Sequence, residues 1–284
     1  MTGQDIGLDG FVRLPGRGFL RLSGEDRLKF LQGLVSNDVD AAAPGHAVYN
    51  CLLTPQGKFL HDFFLITDGD SLLIECEADR RADLAQRLKM YRLRSKIEIA
   101  EADYDVFAAF GAAPLVSDMI LYPDPRRPAL GTRVALPAGR EAGPPIPFDS
   151  YDRLRIAQAV PDGSRDMEIG KAILLENNID LLNGIAWDKG CYTGQELTAR
   201  TRYRGLIKKR LIPVRIVGTA PPIGTPLIEA GSEVGEMRSA NGDIGLALLR
   251  LERLRKGSPI EIDGATLTPE PPSALAAVLA EKQE

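Results

Sequence analysis

One thiol in this chain sits where chemistry can use it. The octapeptide Lys189-Gly190-Cys191-Tyr192-Thr193-Gly194-Gln195-Glu196 places Cys191 between a lysine and two glycines, just ahead of a stretch that reads as a helix. Positive charge and helix N-terminal amides both favour thiolate over thiol. Glycines leave room for something to approach the backbone. The other cysteines, Cys51 and Cys76, lie in apolar strand-like runs and are expected to be small buried hydrophobes. Local sequence leaves Cys191 open between that packing role and a functional one. A cysteine nucleophile needs a histidine base. Only His46 and His61 exist, both remote in sequence and outside any recognisable signature. A metal or cluster ligand shared with a partner chain needs only the thiolate. With no Cys-x-x-Cys pair, a complete Cys/His metal site or a disulfide framework within the chain is not expected.

Charge is the second signal. From Lys189 to Arg210 the chain carries Lys189, Arg200, Arg202, Arg204, Lys208, Lys209 and Arg210 against Glu196. Seven cations and one acid make a local +6 in a chain of net −4, so −10 falls elsewhere. Such a run reads either as a solvated face or as an anion-binding surface for a carboxylate, a phosphate, an acidic partner or RNA. Aromatic interleaving is thin, Tyr192 and Tyr203 only, so direct tRNA binding is not expected. A third signal is Asp62 in Phe59-Leu60-His61-Asp62-Phe63. Strand alternation puts Leu60 and Asp62 on one face and Phe59, His61 and Phe63 on the other. Asp62 is then either an edge-strand carboxylate in solvent or a carboxylate inside a central cavity. Trp187, the single tryptophan, is a core anchor or a pocket wall.

The elements that must hold these groups follow from hydrophobic period and turn chemistry. Phe19–Leu22, Tyr49–Leu53, Phe59–Ile66 and Ser71–Cys76 read as strands of one antiparallel sheet. Ser23-Gly24-Glu25-Asp26 has capping-box form before a helix with Leu28, Leu31, Leu34 and Val35 on one face, ended by Ser36-Asn37-Asp38. Ala78–Met90 reads as an amphipathic helix with Leu84 and Leu88 inward. Ser95–Ala100 and Val106–Phe110 read as further strands. Residues 111–150 are rich in Ala, Pro and Gly and predict long connections. Asp152–Gln158 predicts a helix stopped by Pro161-Asp162-Gly163. From Arg210, short apolar runs alternate with turn signals, the texture of a small β-barrel or sandwich. The residues from Pro271 to Glu284 predict a fraying tail.

The 284 residues, 44% hydrophobic and 26% charged, suit a globular protein with one large or two ordinary domains. No apolar run approaches the ~20 residues of a spanning helix, so no membrane partner is expected. Met1-Thr2-Gly3-Gln4-Asp5 lacks the features of a secretory signal. Together with the cysteine usage, this leads to the expectation of a cytoplasmic protein.

At the octapeptide the chain resembles the YgfZ-type proteins, folate-binding relatives of the aminomethyltransferase (T-protein) of the glycine cleavage system. Further segments are similar to the Iba57-type iron–sulfur cluster assembly factors. They include Phe30-Leu31-Gln32-Gly33, Ser36-Asn37-Asp38-Val39, Thr54-Pro55-Gln56-Gly57-Lys58, Val160-Pro161-Asp162-Gly163, Asn183-Gly184 and Leu197-Thr198-Ala199-Arg200-Thr201. The resemblance spans nearly the whole chain. It implies an α+β folate-binding-type body with antiparallel sheets and a central channel over 1–208, and a small β-barrel with a short tail over 209–284. It implies action late in [4Fe–4S] maturation as an assembly factor, not a catalyst with turnover. Cys191 would then ligate a bridging Fe–S cluster shared with an A-type carrier protein. In that reading Lys189 and the nearby arginines stabilise the thiolate-ligated cluster, and Gly190 and Gly194 let the partner approach. Arg200, Arg202, Arg204, Lys208 and Lys209 form the partner or anion surface. Asp62, Asn37, Trp187 and Arg155 are the candidate contacts for tetrahydrofolate. One departure stands out. Where relatives carry an acid that holds folate, Arg155-Ile156-Ala157-Gln158-Ala159 has Ala157. A methyl cannot accept a pterin's N–H bonds, each worth roughly 1.5–3 kcal/mol, which weakens folate binding and aminomethyl transfer further still. The alternative implied by the same resemblance is a tetrahydrofolate-dependent C1-transfer or tRNA-modification protein.

Overall fold

The computed structural model describes residues 7–112, 117–262 and 264–281. The chain opens with β1 (Gly10–Arg13) and β2 (Arg17–Ser23), then α1 (Arg27–Gln32), β3 (Val48–Leu53), β4 (Phe59–Asp68), β5 (Ser71–Glu77), α2 (Arg81–Tyr91) and β6 (Glu98–Ala102). Strands β2–β6 form a five-stranded antiparallel sheet in the order β3-β4-β5-β2-β6. Next come β7 (Tyr104–Phe110), β8 (Ile120–Pro123) and β9 (Thr132–Pro137). With β1 they make a second antiparallel sheet, β1-β7-β9-β8. The two strands inside 111–150 correct the expectation of connections alone. They are short and flanked by Pro and Gly, which hid them from a periodicity reading. Val106–Phe110 also belongs to this second sheet, not to the first.

Side-chain alternation on β4 explains how the layers stack. Phe63 and Leu65 point to a core shared with Leu31 of α1 and with Leu84 and Leu88 of α2. Phe64 and Ile66 point to a core shared with the second sheet. Phe59 joins the Phe64 side, against the simple alternation. The register slips so that Leu52 faces His61 while Leu53 faces Phe59, a bulge that turns the strand at Leu60. Cys51 is buried in the inter-sheet core and Cys76 in the helix-covered one. The Ser23 capping box does not form. Asp26 is the N-cap residue of α1, and its carboxylate accepts the Lys96 N–H instead. Before α2, residues Ala78–Arg80 make a tighter 3₁₀ turn.

After α3 (Phe148–Ala157) and the single turn α4 (Gly163–Asp166), a long irregular stretch leads to α5 (Gln195–Tyr203). The remainder is β10 (Lys209–Gly218), β11 (Pro226–Glu229), β12 (Ser232–Asn241), β13 (Ile244–Arg250), the turn α6 (Leu251–Leu254), β14 (Ile260–Ile262), β15 (Ala265–Pro269) and α7 (Ser273–Glu281). These six strands form one sheet, β11-β12-β13-β10-β15-β14. Its two edge strands approach each other, so the sheet is a nearly closed barrel. The expected fraying tail is instead helical through Glu281. Leu275 is fully buried in the barrel core, with Leu279 packed behind it one turn on. The architecture is mixed α and β, with antiparallel sheets throughout. No described helix is long and apolar enough to cross a membrane.

Candidate functional site

The thiol loop is clamped on both sides of Cys191 and open at its apex. On the N-terminal side, Lys189 Nζ donates to Gln32 Oε1 at 3.2 Å, Val35 O at 2.9 Å and Asn37 O at 2.6 Å. On the C-terminal side, the Thr193 N–H donates to Gly33 O at 3.1 Å. Tyr192 is buried, and its N–H reaches Gln195 Oε1. Gly194 is held at φ 81°, where a Cβ would sit 2.5 Å from Thr54 O and 3.0 Å from Gly57 Cα. Gly57, at φ 80°, meets the Gly194 carbonyl in return, so two glycines let the Thr54–Lys58 turn nest against the start of α5. Between the clamps, Gly190 and Cys191 are exposed, and space around Gly190 is open.

This geometry corrects two expectations. An ammonium has three N–H donors, and Lys189 spends all three on the last residue of α1 and the turn after it, so it anchors the loop and does not bond the thiolate. Burial pushes its pKa down to about 8, while Asp38 and Asp40 pull it back up. Gly194 serves packing within the chain, and only Gly190 is free for an approaching partner. Asn37 belongs to the same anchor. Its Nδ2 donates to Tyr49 O and Asn183 O, and its Oδ1 accepts the Asp38 N–H. Ser36 adds the next stitch, donating to Gly184 O while accepting the Cys51 N–H. Ser36-Asn37-Asp38 is thus the platform on which residues 183–189 are laid.

The basic run divides in two. Arg200, Arg202, Arg204 and Lys208 are exposed, with Tyr203 and Leu206 exposed among them. Lys209 pairs with Glu233 at 3.2 Å, and buried Arg210 pairs with Asp180 at 2.7 Å, so both are structural. Arg202 stacks on Trp187 at 3.9 Å, which ties the exposed basic face back to the thiol segment. Trp187 is therefore half-buried beneath an arginine, away from the central cavity. Glu196 is exposed in the first turn of α5, where an acid suits the helix N-terminus.

Between the two sheets lies a buried cluster that the sequence did not announce. Arg133 on β9 pairs with Glu75 on β5, and its Nη1 reaches Asp124 Oδ2 at 3.2 Å and Tyr151 Oη at 3.1 Å. Arg17 Nε donates to Glu75 Oε1 at 2.9 Å. Arg126 clamps Asp124 through Nε at 3.0 Å and Nη2 at 2.8 Å. The three guanidiniums surround the Phe64 ring at 4.5–5.7 Å. Burial alone would raise the Glu75 pKa, but Arg133 and Arg17 hold it at about 2. Two signals were available: an acid inside Leu72-Leu73-Ile74-Glu75-Cys76 and an arginine opening Arg133-Val134-Ala135-Leu136. A charge in an apolar strand is kept there by a partner.

Asp62 lies at the edge of this cluster. It is 1% exposed on β4, an interior strand, so it is a cavity carboxylate. Oδ2 accepts from Tyr49 Oη at 3.1 Å; Oδ1 has no hydrogen-bond donor, the nearest cation being Arg17 Nη1 at 3.6 Å. The cavity it faces has a volume of about 50 Å³, with Arg17, Phe64, Arg126, Arg133 and Arg155 among its walls. Benzene alone fills a cavity of about 150 Å³, so the space between these side chains as they stand is smaller than one aromatic ring. Asn37 and Trp187 do not line the cavity, and Arg155 is committed to Asp152, Asp166 and Ser239. Of the four expected folate contacts, Asp62 alone faces the cavity with an unused atom, and folate has no step in the function proposed below.

The arrangement of the sheets, α3 and the barrel has a counterpart among solved structures. Aminomethyltransferase T of the glycine cleavage system from Bartonella henselae superposes with a TM-score of 0.73, covering 94% of this chain and 86% of that one. At 12% identity it shows the fold alone. Residues 208–277 match the family model of the CAF17 C-terminal β-barrel domain. Curated relatives are more specific. The human mitochondrial iron–sulfur cluster assembly factor IBA57 is 35% identical over 280 residues, covering 86% of this chain and 78% of its own length. The Neurospora crassa homologue is 32% identical, covering 86% and 70%. The chain belongs to the IBA57 family of iron–sulfur cluster assembly factors. The cytoplasmic expectation is corrected by the same comparison. The relatives are named as mitochondrial, which points to that compartment instead. One segment on which that expectation rested, Met1–Asp5, lies outside the described residues.

Proposed function

We propose that the protein works in iron–sulfur cluster assembly at the late, [4Fe–4S] stage, with Cys191 giving one thiolate to a cluster that an A-type carrier also holds. The cluster is cargo, not a resident group. The observation behind this reading is the exposed thiol at the apex of a loop fixed on both sides. A rigid loop presents sulfur in one place at small entropic cost. Cys51 and Cys76 are buried, and among the described residues no group of three or more His, Cys, Asp or Glu could hold a metal ion. Further ligands therefore have to come from the partner. The exposed arginines beside Trp187 favour an anionic, thiolate-ligated cluster electrostatically.

The test mixes the protein with a reduced, cluster-loaded A-type carrier and follows visible absorption and size together. Wild type forms a chromophoric hetero-complex. Cys191→Ala folds normally and forms none. The same chromophore with Cys191→Ala overturns the ligand role.

A further inference from the structure

Beside the thiol loop runs a groove that none of the described residues fills. It is open, about 850 Å³ in volume, and lies between the end of α1 and the end of α2. Lys29, Phe30 and Leu34 line one side; Tyr91, Leu93 and Arg94 line the other. Its floor is continuous with the site above, because Gly33 both lines the groove and accepts the Thr193 N–H.

Helix α2 buries Leu84 and Leu88 and then runs past its own core contacts. From Lys89 to Arg94 every residue is exposed, and cations alternate with large apolar groups: Lys89, Met90, Tyr91, Arg92, Leu93, Arg94. Leu93 is the most telling. It is 90% exposed and sits at φ 43°, in the left-handed region that suits glycine or asparagine. Leucine there carries backbone strain and gains no burial in return. Strain of this kind persists at functional positions. An apolar side chain held outward at such a position is placed for contact with another molecule.

Charge says what kind. Lys29 and Arg94 line the groove, Lys89 and Arg92 are exposed at the adjoining end of α2, and none of the four makes an ion pair among the described residues. Asp26, the acid that lines the groove, has its Oδ2 occupied by the Lys96 N–H. A second copy docking on the same face by a two-fold axis would bring these cations against each other. RNA would leave the aliphatic wall of Leu34 and Leu93 unused, and with Phe30 buried the single exposed ring, Tyr91, is a thin stacking platform.

We infer that this groove is the docking surface for the protein that shares the cluster. It takes a segment that presents a large apolar side chain between aspartates or glutamates. The inference rests on the function proposed above. The apolar anchor fills the space between Phe30 and Leu93, the acids meet the four cations, and the partner's body is thereby set over Gly190 and Cys191. Apolar anchors in a pocket carry most of an interface's energy, and charged rims mainly set approach and register.

Leu93→Gly is the deciding variant, because glycine adopts the left-handed backbone without strain and the fold is kept. Binding to the A-type carrier is measured by calorimetry, and hydrogen exchange maps the contact. The expected result is a loss of affinity of about tenfold or more, an unchanged or higher melting temperature, and carrier-induced protection over 29–34 and 89–95 in the wild type. Wild-type affinity in Leu93→Gly, or protection elsewhere, overturns the docking role. So does self-association that Leu93→Gly abolishes, which assigns the groove to a second copy. Cys191→Ala separates this inference from the one it rests on. Retained binding and protection with a wild-type chromophore leave the groove standing and remove the thiol role; absence of any complex with the wild type removes both.

Discussion

Arg133 and Lys189 are both cations drawn into the protein, and they are treated differently. Arg133 is answered by carboxylates, Glu75 and Asp124, in a cluster buried between the two sheets. Lys189 is answered by neutral oxygens on a turn, and the loop it holds is open two residues later. The first arrangement holds two sheets together whatever is bound. The second fixes a backbone while leaving its apex for another molecule. The position of a charge in the sequence therefore says little about function. What its partners leave unsatisfied says more. By that measure the cavity offers a single carboxylate oxygen of Asp62, and the loop offers a thiol.

The sharpest way to break the comparison is to remove one partner on each side. Arg133→Leu leaves Glu75 buried without its main counter-charge and is expected to cost about 3–5 kcal/mol, read by urea unfolding. Cys191→Ala, at an exposed apex, is expected to fall within about 0.5 kcal/mol of wild type. If the two costs are similar, the loop is part of the core and the distinction is lost.

A smaller effect comes from acid. His61 is buried against Asp83 at 2.9 Å, and burial, followed by Arg80, pushes its pKa down to about 4, partly offset by Asp83. The unfolded chain takes up this proton from about pH 6.5 downward, and the folded protein resists until about pH 4. Stability is therefore full above the first value and falls through that window, by roughly 3 kcal/mol for this one group. Below it, Glu75 adds a second loss between its ordinary 4.5 and about 2. Denaturant midpoints recorded from pH 7 to 4 in wild type and His61→Gln check the first part. An equally steep wild-type and variant profile rejects His61 as the source.

The mildest test concerns Lys189. Lys189→Met removes three hydrogen bonds to neutral acceptors at a half-buried site, for an expected 1–2 kcal/mol or about that. Iodoacetamide labelling of Cys191 at fixed pH is expected to rise in this variant, as the loop loosens. A fall in labelling would mean that the ammonium activates the thiol after all.

The sequence reading reached some of this and missed the rest for definite reasons. Hairpins such as Phe59–Ile66 with Ser71–Cys76 were visible because their alternation is local. The exposed setting of Cys191 was only half visible, because its glycine and lysine neighbours raise a functional reading without excluding a buried one. The fate of Asp62 was not, since a period of two assigns a face and says nothing of what covers it. Lys189 was misread because its acceptors, Gln32, Val35 and Asn37, come from the other end of the chain. The Glu75–Arg133 pair joins two sheets, and each charge looks like an isolated irregularity until the sheets are stacked.

That separation in sequence has a consequence for how the protein is made. Lys189 and Asn37 are 152 positions apart, and Gly194 rests on Gly57. Contacts of such long range close late, after loop entropy has been overcome by earlier structure. During synthesis the amino-terminal sheet and its turns emerge first. The thiol loop is laid onto a finished template, so a chain whose amino-terminal sheet and turns have not formed offers no correctly placed sulfur. Presentation of the thiol thus depends on completion of that template, through two glycines and one ammonium.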